Sequence, residues 1–392
     1  MKSNVLLFID SFQQGGTERQ VVQLTRLLHE SGRYQVHLAC LSRAGVLRAE
    51  VERLGFTDIP AFPLNSFYDR NALVQLRRFV RFLRERKIDI VETHDFYTNI
   101  FGMSGATLAR TPVRIASRRE SDGVRSARQR FIARSAFGLA HVVITNAEAV
   151  RQELIVDGVR ADKIITIYNG VDTAPIAPPS VAPRAELLTV LGLPADRPRR
   201  FITIVANLRH PMKDQQTFLR AARRVRAVVP DAGFVLAGEG GLLDELRAYA
   251  AAQGLAADTI FTGHCGRVGD LLAVSDVCVL SSKCGEGFSN AITEYMAAAR
   301  PVVATDVAGA REAIVEGETG YVVPIGDDET MAARIVSLLQ DPARAHAMGA
   351  RGRRVIEEKF SCAVLLDRME SLYEQLLTKP QRRPARGIAQ RT

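Results

Sequence analysis

Tryptophan is missing from all 392 residues, and aromatic residues together make up only 6% of them. So few flat side chains leave little for base stacking, and no nucleic-acid-binding motif is recognisable. A nucleic-acid partner is therefore not expected, in spite of a formal charge of +9. No stretch of eighteen or more apolar residues occurs, so nothing predicts a membrane-spanning helix. The chain runs from Lys2-Ser3-Asn4 into Val5-Leu6-Leu7-Phe8-Ile9 and then Asp10, without a small-residue cleavage site, which reads as a buried strand and not as a leader. Cysteine is scarce too. Cys40, Cys265, Cys278, Cys284 and Cys362 are odd in number, scattered, and without C-x-x-C spacing, which argues against a disulfide framework or a zinc site. A reducing, cytoplasmic setting fits that usage.

What is present is an α/β pattern repeated twice. The length exceeds one ordinary core and suits two domains with a cleft between them, and 47% apolar against 24% charged residues is a globular balance. Short apolar runs at Val5–Ile9, Tyr34–Leu41, Ile90–Glu92, Val113–Ala116, Val142–Ile144 and Ile164–Ile167 alternate with helix-period segments at Glu18–Glu30, Ala72–Arg86, Ser126–Gly138 and Ala147–Asp157. Strand, helix, strand in succession predicts parallel sheets covered on both faces. Six prolines between Thr173 and Arg200 mark a connection with a short helix near Ala185–Leu191. The alternation then restarts, with strands at Phe201–Val205, Gly233–Leu236, Thr259–Phe261, Val277–Leu280, Pro301–Ala304 and Gly320–Val323. The expected domains are 1–180, a linker at 181–200, 201–360, a last helix at 361–378, and a basic disordered tail at 379–392.

The positive charge is uneven. Fifteen Lys and Arg lie between Arg70 and Arg134, with fewer than half as many Asp and Glu. Arg77, Arg81 and Arg84 recur at helical spacing, opposite Leu73, Leu76, Phe79, Val80 and Leu83, which predicts an amphipathic basic helix. It reads either as a solvated face or as a docking face for anionic lipid headgroups or an anionic acceptor.

Parallel sheets take ligands at the carboxyl ends of their strands, so the loops there are the candidates for chemistry. After the first strand, Gly15 and Gly16 lead into a helix whose free N–H groups suit phosphate, although a Gly pair also makes an ordinary turn. After Phe201–Val205, Arg209 and Lys213 stand four residues apart and can neutralise a pyrophosphate. After Val277–Leu280 comes Ser281-Ser282-Lys283-Cys284-Gly285-Glu286-Gly287-Phe288-Ser289-Asn290, then a helix containing Glu294. Glycines around Glu286 imply a tight turn close to something, Ser289 or Asn290 can cap the helix, and two carboxylates can accept hydrogen bonds from sugar and ribose hydroxyls. Solvated surface charge is the plain alternative for each of these side chains.

Glu286-Gly-Phe-Ser-Asn-Ala-Ile-Thr-Glu294 has the Glu-x7-Glu pattern of retaining GT-B glycosyltransferases. With Gly15-Gly-Thr-Glu-Arg19, Asn146-Ala-Glu-Ala-Val150, Tyr168-Asn-Gly-Val-Asp172, Ala237-Gly-Glu-Gly240, Phe261-Thr-Gly263, Pro301-Val-Val-Ala-Thr305 and Glu316-Gly-Glu-Thr-Gly320, the chain resembles family 4 of those enzymes over nearly its whole length. The resemblance implies an α/β GT-B fold of two Rossmann-like doubly wound parallel-sheet domains facing across a cleft. It implies that Arg209 and Lys213 hold a donor pyrophosphate, Glu286 bonds the transferred sugar, and Glu294 bonds the nucleotide ribose. Gly15 and Gly16, Gly238, His264, Gly287, Phe288, Ser289 and Asn290 complete the implied donor site, and Arg209, Lys213 and Glu286 carry the catalysis by stabilisation and orientation.

The donor implied is a nucleotide sugar, UDP- or GDP-linked, with no cofactor and no metal, since two protein cations supply charge and no Asp-x-Asp sits at a strand end. The acceptor implied is a glycan or a lipid-linked molecule of surface polysaccharide or glycolipid assembly, at the inner face of a membrane or free of it. One departure stands out. Where many such enzymes carry a His after the fourth strand, this chain has Ile115-Ala-Ser-Arg-Arg-Glu120, so Arg118 or Arg119 is expected to face the cleft instead. His94, after another strand, is either an acceptor contact or a structural histidine. A GT-B epimerase of nucleotide sugars and a non-catalytic nucleotide-sugar-binding module are the alternatives, and Gly15-Gly16 lacks the G-x-G-x-x-G spacing of a Rossmann dehydrogenase.

Overall fold

The computed structural model describes residues 2–121, 125–176, 183–195 and 199–378. The expected disordered tail and parts of the proline-rich connection therefore lie outside the described residues. In chain order the first half holds β1 (Ser3–Ile9), α1 (Gly16–Ser31), β2 (Tyr34–Cys40), α2 (Arg48–Arg53), α3 (Arg70–Glu85), β3 (Ile90–Thr93), α4 (Phe96–Ala109), β4 (Val113–Arg118), α5 (Ala127–Leu139), β5 (Val142–Thr145), α6 (Glu148–Val156) and β6 (Ile164–Thr166). The second half holds α7 (Arg184–Val190), β7 (Arg200–Val205), α8 (Gln215–Val228), β8 (Ala232–Ala237), α9 (Leu243–Ala252), β9 (Thr259–Gly263), α10 (Val268–Val274), β10 (Val277–Leu280), α11 (Asn290–Ala297), β11 (Val302–Thr305), α12 (Ala310–Ala313), β12 (Gly320–Val323), α13 (Asp328–Gln340), α14 (Pro342–Lys359) and α15 (Cys362–Thr378).

Two six-stranded sheets result, ordered β2-β1-β3-β4-β5-β6 and β12-β11-β10-β7-β8-β9. In the first, β1 pairs in parallel with β2 and with β3; in the second, β7 pairs in parallel with β8 and with β10. Each sheet is thus doubly wound, and its strand order reverses beside its first strand, which is where an open α/β sheet leaves a ligand crevice at the strand ends. By contacts the chain divides into a first unit of residues 1–117, 131–144 and 366 onward, and a second of 118–130 and 145–365. Among the described residues no helix is long and apolar enough to cross a membrane.

The central strands are buried throughout, which is why Val5–Ile9 and Val277–Leu280 read as continuous apolar runs and not as alternations. In the first unit Phe8, Phe62, Phe79 and Phe101 form one ring cluster, with Phe8 and Phe79 stacked at 4.9 Å. α4 escapes a periodicity reading for a physical reason. Its segment is apolar nearly all round and contains two glycines, and both let it press close to its neighbours. A Cβ on Gly102 would lie 2.5 Å from Thr93 Cγ2, and one on Gly105 would lie 2.4 Å from the Phe79 ring. The basic helix forms as α3, started by Asp69, whose carboxylate accepts from the Ala72 amide at 2.7 Å. Its burial departs from the expected face at one end: Phe79 and Leu83 point inward, but Leu73 is 58% exposed; Val74, which is not among the residues of that face, is 49% exposed beside it. In the second unit Tyr295 is fully buried and its hydroxyl accepts from the Val205 amide at 2.7 Å, tying α11 to the end of β7.

α4 is capped by Asp95, which accepts from the Thr98 amide at 2.9 Å and the Thr98 hydroxyl at 2.7 Å. Burial pushes its carboxyl up from 3.8 to about 7, with Asp10 and Glu18 adding like charge against the lowering effect of the Thr98 bonds. A raised folded-state value means that the native chain holds this proton more tightly than the unfolded one, so stability falls as pH rises from the ordinary carboxylate range to about 7. Asp95→Asn should flatten that slope, as followed by urea melts across the interval; an unchanged slope would place the proton elsewhere.

Candidate active site

The loops after β7 and β10 flank the reversal point of the second sheet, and both are held by their own bonds. The first reads Ala206 to Asp214 and ends in a single tight turn, Pro211–Lys213, before Asp214 at φ 44° turns the chain into α8. A left-handed aspartate is tolerated because its carboxylate accepts from the Thr217 hydroxyl at 2.6 Å. The second loop is stitched to the first. Lys283 donates its amide to the Met212 carbonyl at 2.9 Å, and the Ser281 hydroxyl donates to the Lys213 carbonyl at 2.9 Å. Gly285 takes φ 76°, the region that favours glycine, directly over Met212.

This stitching brings Lys213 and Glu286 together. The ammonium donates to Glu286 Oε1 at 2.5 Å, and the Ser282 hydroxyl donates to the same oxygen at 2.7 Å. Lys213 is a quarter exposed and Glu286 a tenth, so the pair is partly desolvated and its charges are felt more strongly than on an open surface. A diphosphate would find an ammonium already aimed by a carboxylate, and a sugar hydroxyl would find that carboxylate fixed by a serine. Arg209 stands on the same loop after β7, pairs with Glu239 at 3.3 Å, and is far more open. Glu239 comes from the loop after β8, where Gly238 and Gly240 hug the β7 loop: a Cβ on Gly238 would meet the Ala206 carbonyl oxygen at 2.0 Å.

Of the other expected residues, Glu294 lies buried in α11, Ser289 is buried just ahead of it, and Asn290 opens the helix. The Phe288 side chain belongs to the core, 4.9 Å from the Tyr168 ring and 4.8 Å from Phe360, so only its backbone is available to a ligand. His264 is exposed after β9. Gly15 precedes α1 and Gly16 begins it, at the end of β1 in the first unit.

Arg118, the last residue of β4, and Arg119, the next, have different partners. Arg118 is 3% exposed and spends its guanidinium on Glu153 at 3.0 Å, Asp157 at 3.2 Å and the Glu120 carbonyl at 3.1 Å. That is a structural employment, since a buried guanidinium needs such partners. Arg119 donates to Asn169 Oδ1 at 3.0 Å. His94 is buried, with Nδ1 3.6 Å from Glu92 Oε1, and Tyr373 donates to the other Glu92 oxygen at 2.5 Å.

Sequence reasoning passed over Ser282, Glu239, Asn146 and Asn169. Ser282 lies in the stretch that leads to Glu286 and Glu239 inside Ala237-Gly-Glu-Gly240, and that position was the only signal. The two asparagines lie inside quoted motifs, but their partners are distant in sequence.

Two parallel doubly wound sheets, with the candidate groups at the reversal point of the second, define the GT-B class of glycosyltransferase folds. Among solved structures, that of Anabaena Alr3699/HepE in complex with UDP matches with a TM-score of 0.84 and 20% identity, covering 96% of this chain and 100% of that one. A model described as Glycosyltransferase Family 4 matches residues 14–175, and one described as Glycosyl transferases group 1 matches residues 199–341. With both halves matched, the chain belongs to the group 1, family 4 glycosyltransferases. It is 34% identical over 194 residues to a GDP-mannose-dependent alpha-(1-6)-phosphatidylinositol monomannoside mannosyltransferase of Mycolicibacterium smegmatis, covering 47% of this chain and 49% of that protein. It is 31% identical over 218 residues to the lipopolysaccharide core biosynthesis mannosyltransferase LpcC of Rhizobium leguminosarum, covering 54% and 59%. The chain thus spans about half the length of the curated relatives it matches.

Gly287 offers a direct check of the packing under the loop. A Cβ there would lie 2.4 Å from the Arg119 carbonyl oxygen and 2.4 Å from Asn146 Oδ1, whereas Gly266 faces open space. Gly287→Ala should cost about 1–3 kcal/mol in urea melts and Gly266→Ala close to nothing. Equal losses would show that the loop is not packed in this way.

Proposed function

We propose that the protein is a retaining glycosyltransferase that moves a sugar from a nucleoside-diphosphate donor, UDP- or GDP-linked, to a glycan or lipid-linked acceptor in surface polysaccharide or glycolipid assembly. The observation that carries this reading is the Lys213–Glu286 contact at the reversal point of the second sheet, joined by Arg209 on the same loop as Lys213. In the free protein the carboxylate neutralises the ammonium. With donor bound, the ammonium and the Arg209 guanidinium take the diphosphate charge, which grows as the sugar C1–O bond breaks, and Glu286 turns to the sugar hydroxyls. The acceptor hydroxyl oxygen bonds C1 on the face the diphosphate leaves, and its proton passes to a departing phosphate oxygen. Glu294 bonds the ribose, and the backbone from Gly287 to Asn290 offers N–H groups at the start of α11 to phosphate and sugar.

Membrane contact at the cytoplasmic face is part of the proposal. On α3 the exposed Arg70, Arg77, Arg81 and Arg84 lie with exposed Leu73 and Val74, a combination suited to anionic headgroups with shallow apolar insertion. The acceptor named for the Mycolicibacterium relative is itself a lipid, which supports the same setting.

Thermal shift with UDP-, GDP- and ADP-sugars should single out one nucleotide. With the donor so chosen, Lys213→Ala and Glu286→Ala should each lower turnover by about 10²–10³-fold while the chain still unfolds in one cooperative step, at a midpoint lowered by the charge left unpaired. Near-native rates in both variants would remove the site from consideration.

A further inference from the structure

The stretch Tyr168-Asn169-Gly170-Val171-Asp172 takes no part in the reading above, yet its asparagine lies beneath the glutamate loop. Asn169 is 4% exposed, and its side-chain amide is bonded on every side. Nδ2 donates to the Phe288 carbonyl at 3.1 Å and to Asn290 Oδ1 at 2.9 Å, while Oδ1 accepts from the Arg119 guanidinium at 3.0 Å. The same layer holds the other end of the loop. Ser121 donates its amide to the Glu286 carbonyl at 3.0 Å, and Asn146 Nδ2 donates to the Arg119 carbonyl at 3.0 Å, directly beneath Gly287. Gly309 completes the fastening by donating its amide to the Gly287 carbonyl at 3.0 Å.

The bonds that reach the loop from Asn169, Ser121 and Gly309 end on its main chain or on Asn290, and none on the carboxylate of Glu286 or Glu294; Arg119 and Asn146 brace the layer behind them. Their combined effect is to fix the backbone of 286–290, and with it the direction in which Glu286 projects and the N–H groups with which α11 begins. An asparagine suits the task because it donates two hydrogens and accepts at its oxygen, so one side chain can grip two loop acceptors while Arg119 orients it. Aspartate at this position would accept only, and would set its charge against the Phe288 carbonyl and Asn290 Oδ1.

The geometry points to Asn169, oriented by Arg119, as a positioning residue that holds the Glu286–Asn290 segment in the conformation that meets the donor sugar. This rests on the function proposed above and assigns the arginine after β4 to the loop and not to the acceptor. Groups that act by orientation lose rate when their support loosens by a fraction of an ångström, even when binding survives. Because Arg209 and Lys213, which carry most of the diphosphate charge, sit on a separate loop after β7, the loss of Asn169 should weaken nucleotide binding far less than turnover, although the Gly287–Asn290 N–H groups also face the phosphate.

The test compares the full chain with its Asn169→Ala and Asn169→Asp variants in three measurements. Amide exchange should quicken about tenfold or more in the peptide 284–291 of both variants and stay unchanged in strand 200–205. Calorimetric titration with UDP and with GDP should show affinity held within about threefold for whichever nucleotide the wild type binds. The kcat for the donor found by thermal shift should drop about 10²-fold with little change in KM. Unchanged exchange in 284–291 of Asn169→Ala overturns the proposal. Wild-type exchange and kcat in Asn169→Asp overturn it as well, since holding Arg119 alone would then suffice. A wild-type chain that binds neither UDP nor GDP sinks the donor reading, while the exchange comparison still decides whether Asn169 holds the loop.

Discussion

The contact between the Lys213 ammonium and the Glu286 carboxylate is the constraint on which the candidate site depends. It exists because β7 and β10 are neighbours in the second sheet although 71 other residues, Ala206 to Asp276, separate them in the chain. Neighbouring parallel strands deliver their following loops to the same edge, and the strand order reverses between these two, leaving the loops free to diverge and meet. Opposite charges placed there are partly desolvated, and each raises the cost of removing the other. A serine on Glu286 and a set of backbone bonds between the two loops fix the pair at a defined height.

The loop that carries Glu286 has a sequence nearly devoid of rigidity. Two glycines flank the glutamate, and one of them adopts a left-handed backbone. Such a loop becomes precise only when something outside it supplies bonds, and here these come from Ser121, Asn169 and Gly309, while Asn146 fastens the Arg119 carbonyl that lies against Gly287. Small residues permit the close approach, since any side chain at 287 would strike the Arg119 carbonyl. Polar supports then convert closeness into a single conformation. Flexibility in sequence and order in structure are therefore two aspects of one design: the loop is bare so that its neighbours can reach its backbone.

The two adjacent arginines at the end of β4, Arg118 and Arg119, show how burial sorts side chains of one type. Arg118 finds Glu153 and Asp157 on and just beyond α6 and is withdrawn into an ion-pair cluster, while Arg119, one residue on, grips an asparagine beneath the glutamate loop. On α3 the opposite holds: arginines remain at the surface beside Leu73 and Val74. The exposed leucine and valine follow from helix geometry, because Phe79 and Leu83 define the buried stripe and residues 73 and 74 fall outside it.

Much of the architecture was legible without coordinates. Buried parallel strands must be apolar on both faces and helices covering them on one, so β1, β7 and β10 stood out as apolar runs and most helices by period, and the motifs carried Lys213, Glu286 and Glu294. α4 did not, because a helix packed on several sides has no polar face to reveal its period. What the sequence by itself determined, then, was the α/β alternation, the family pattern and the residue types at the strand ends. Which carboxylate faces which cation, which arginine is buried, and which asparagine grips the glutamate loop were decided only by tertiary structure. Those pairings join residues dozens to more than a hundred positions apart, and only the sheet order brings them within hydrogen-bonding reach.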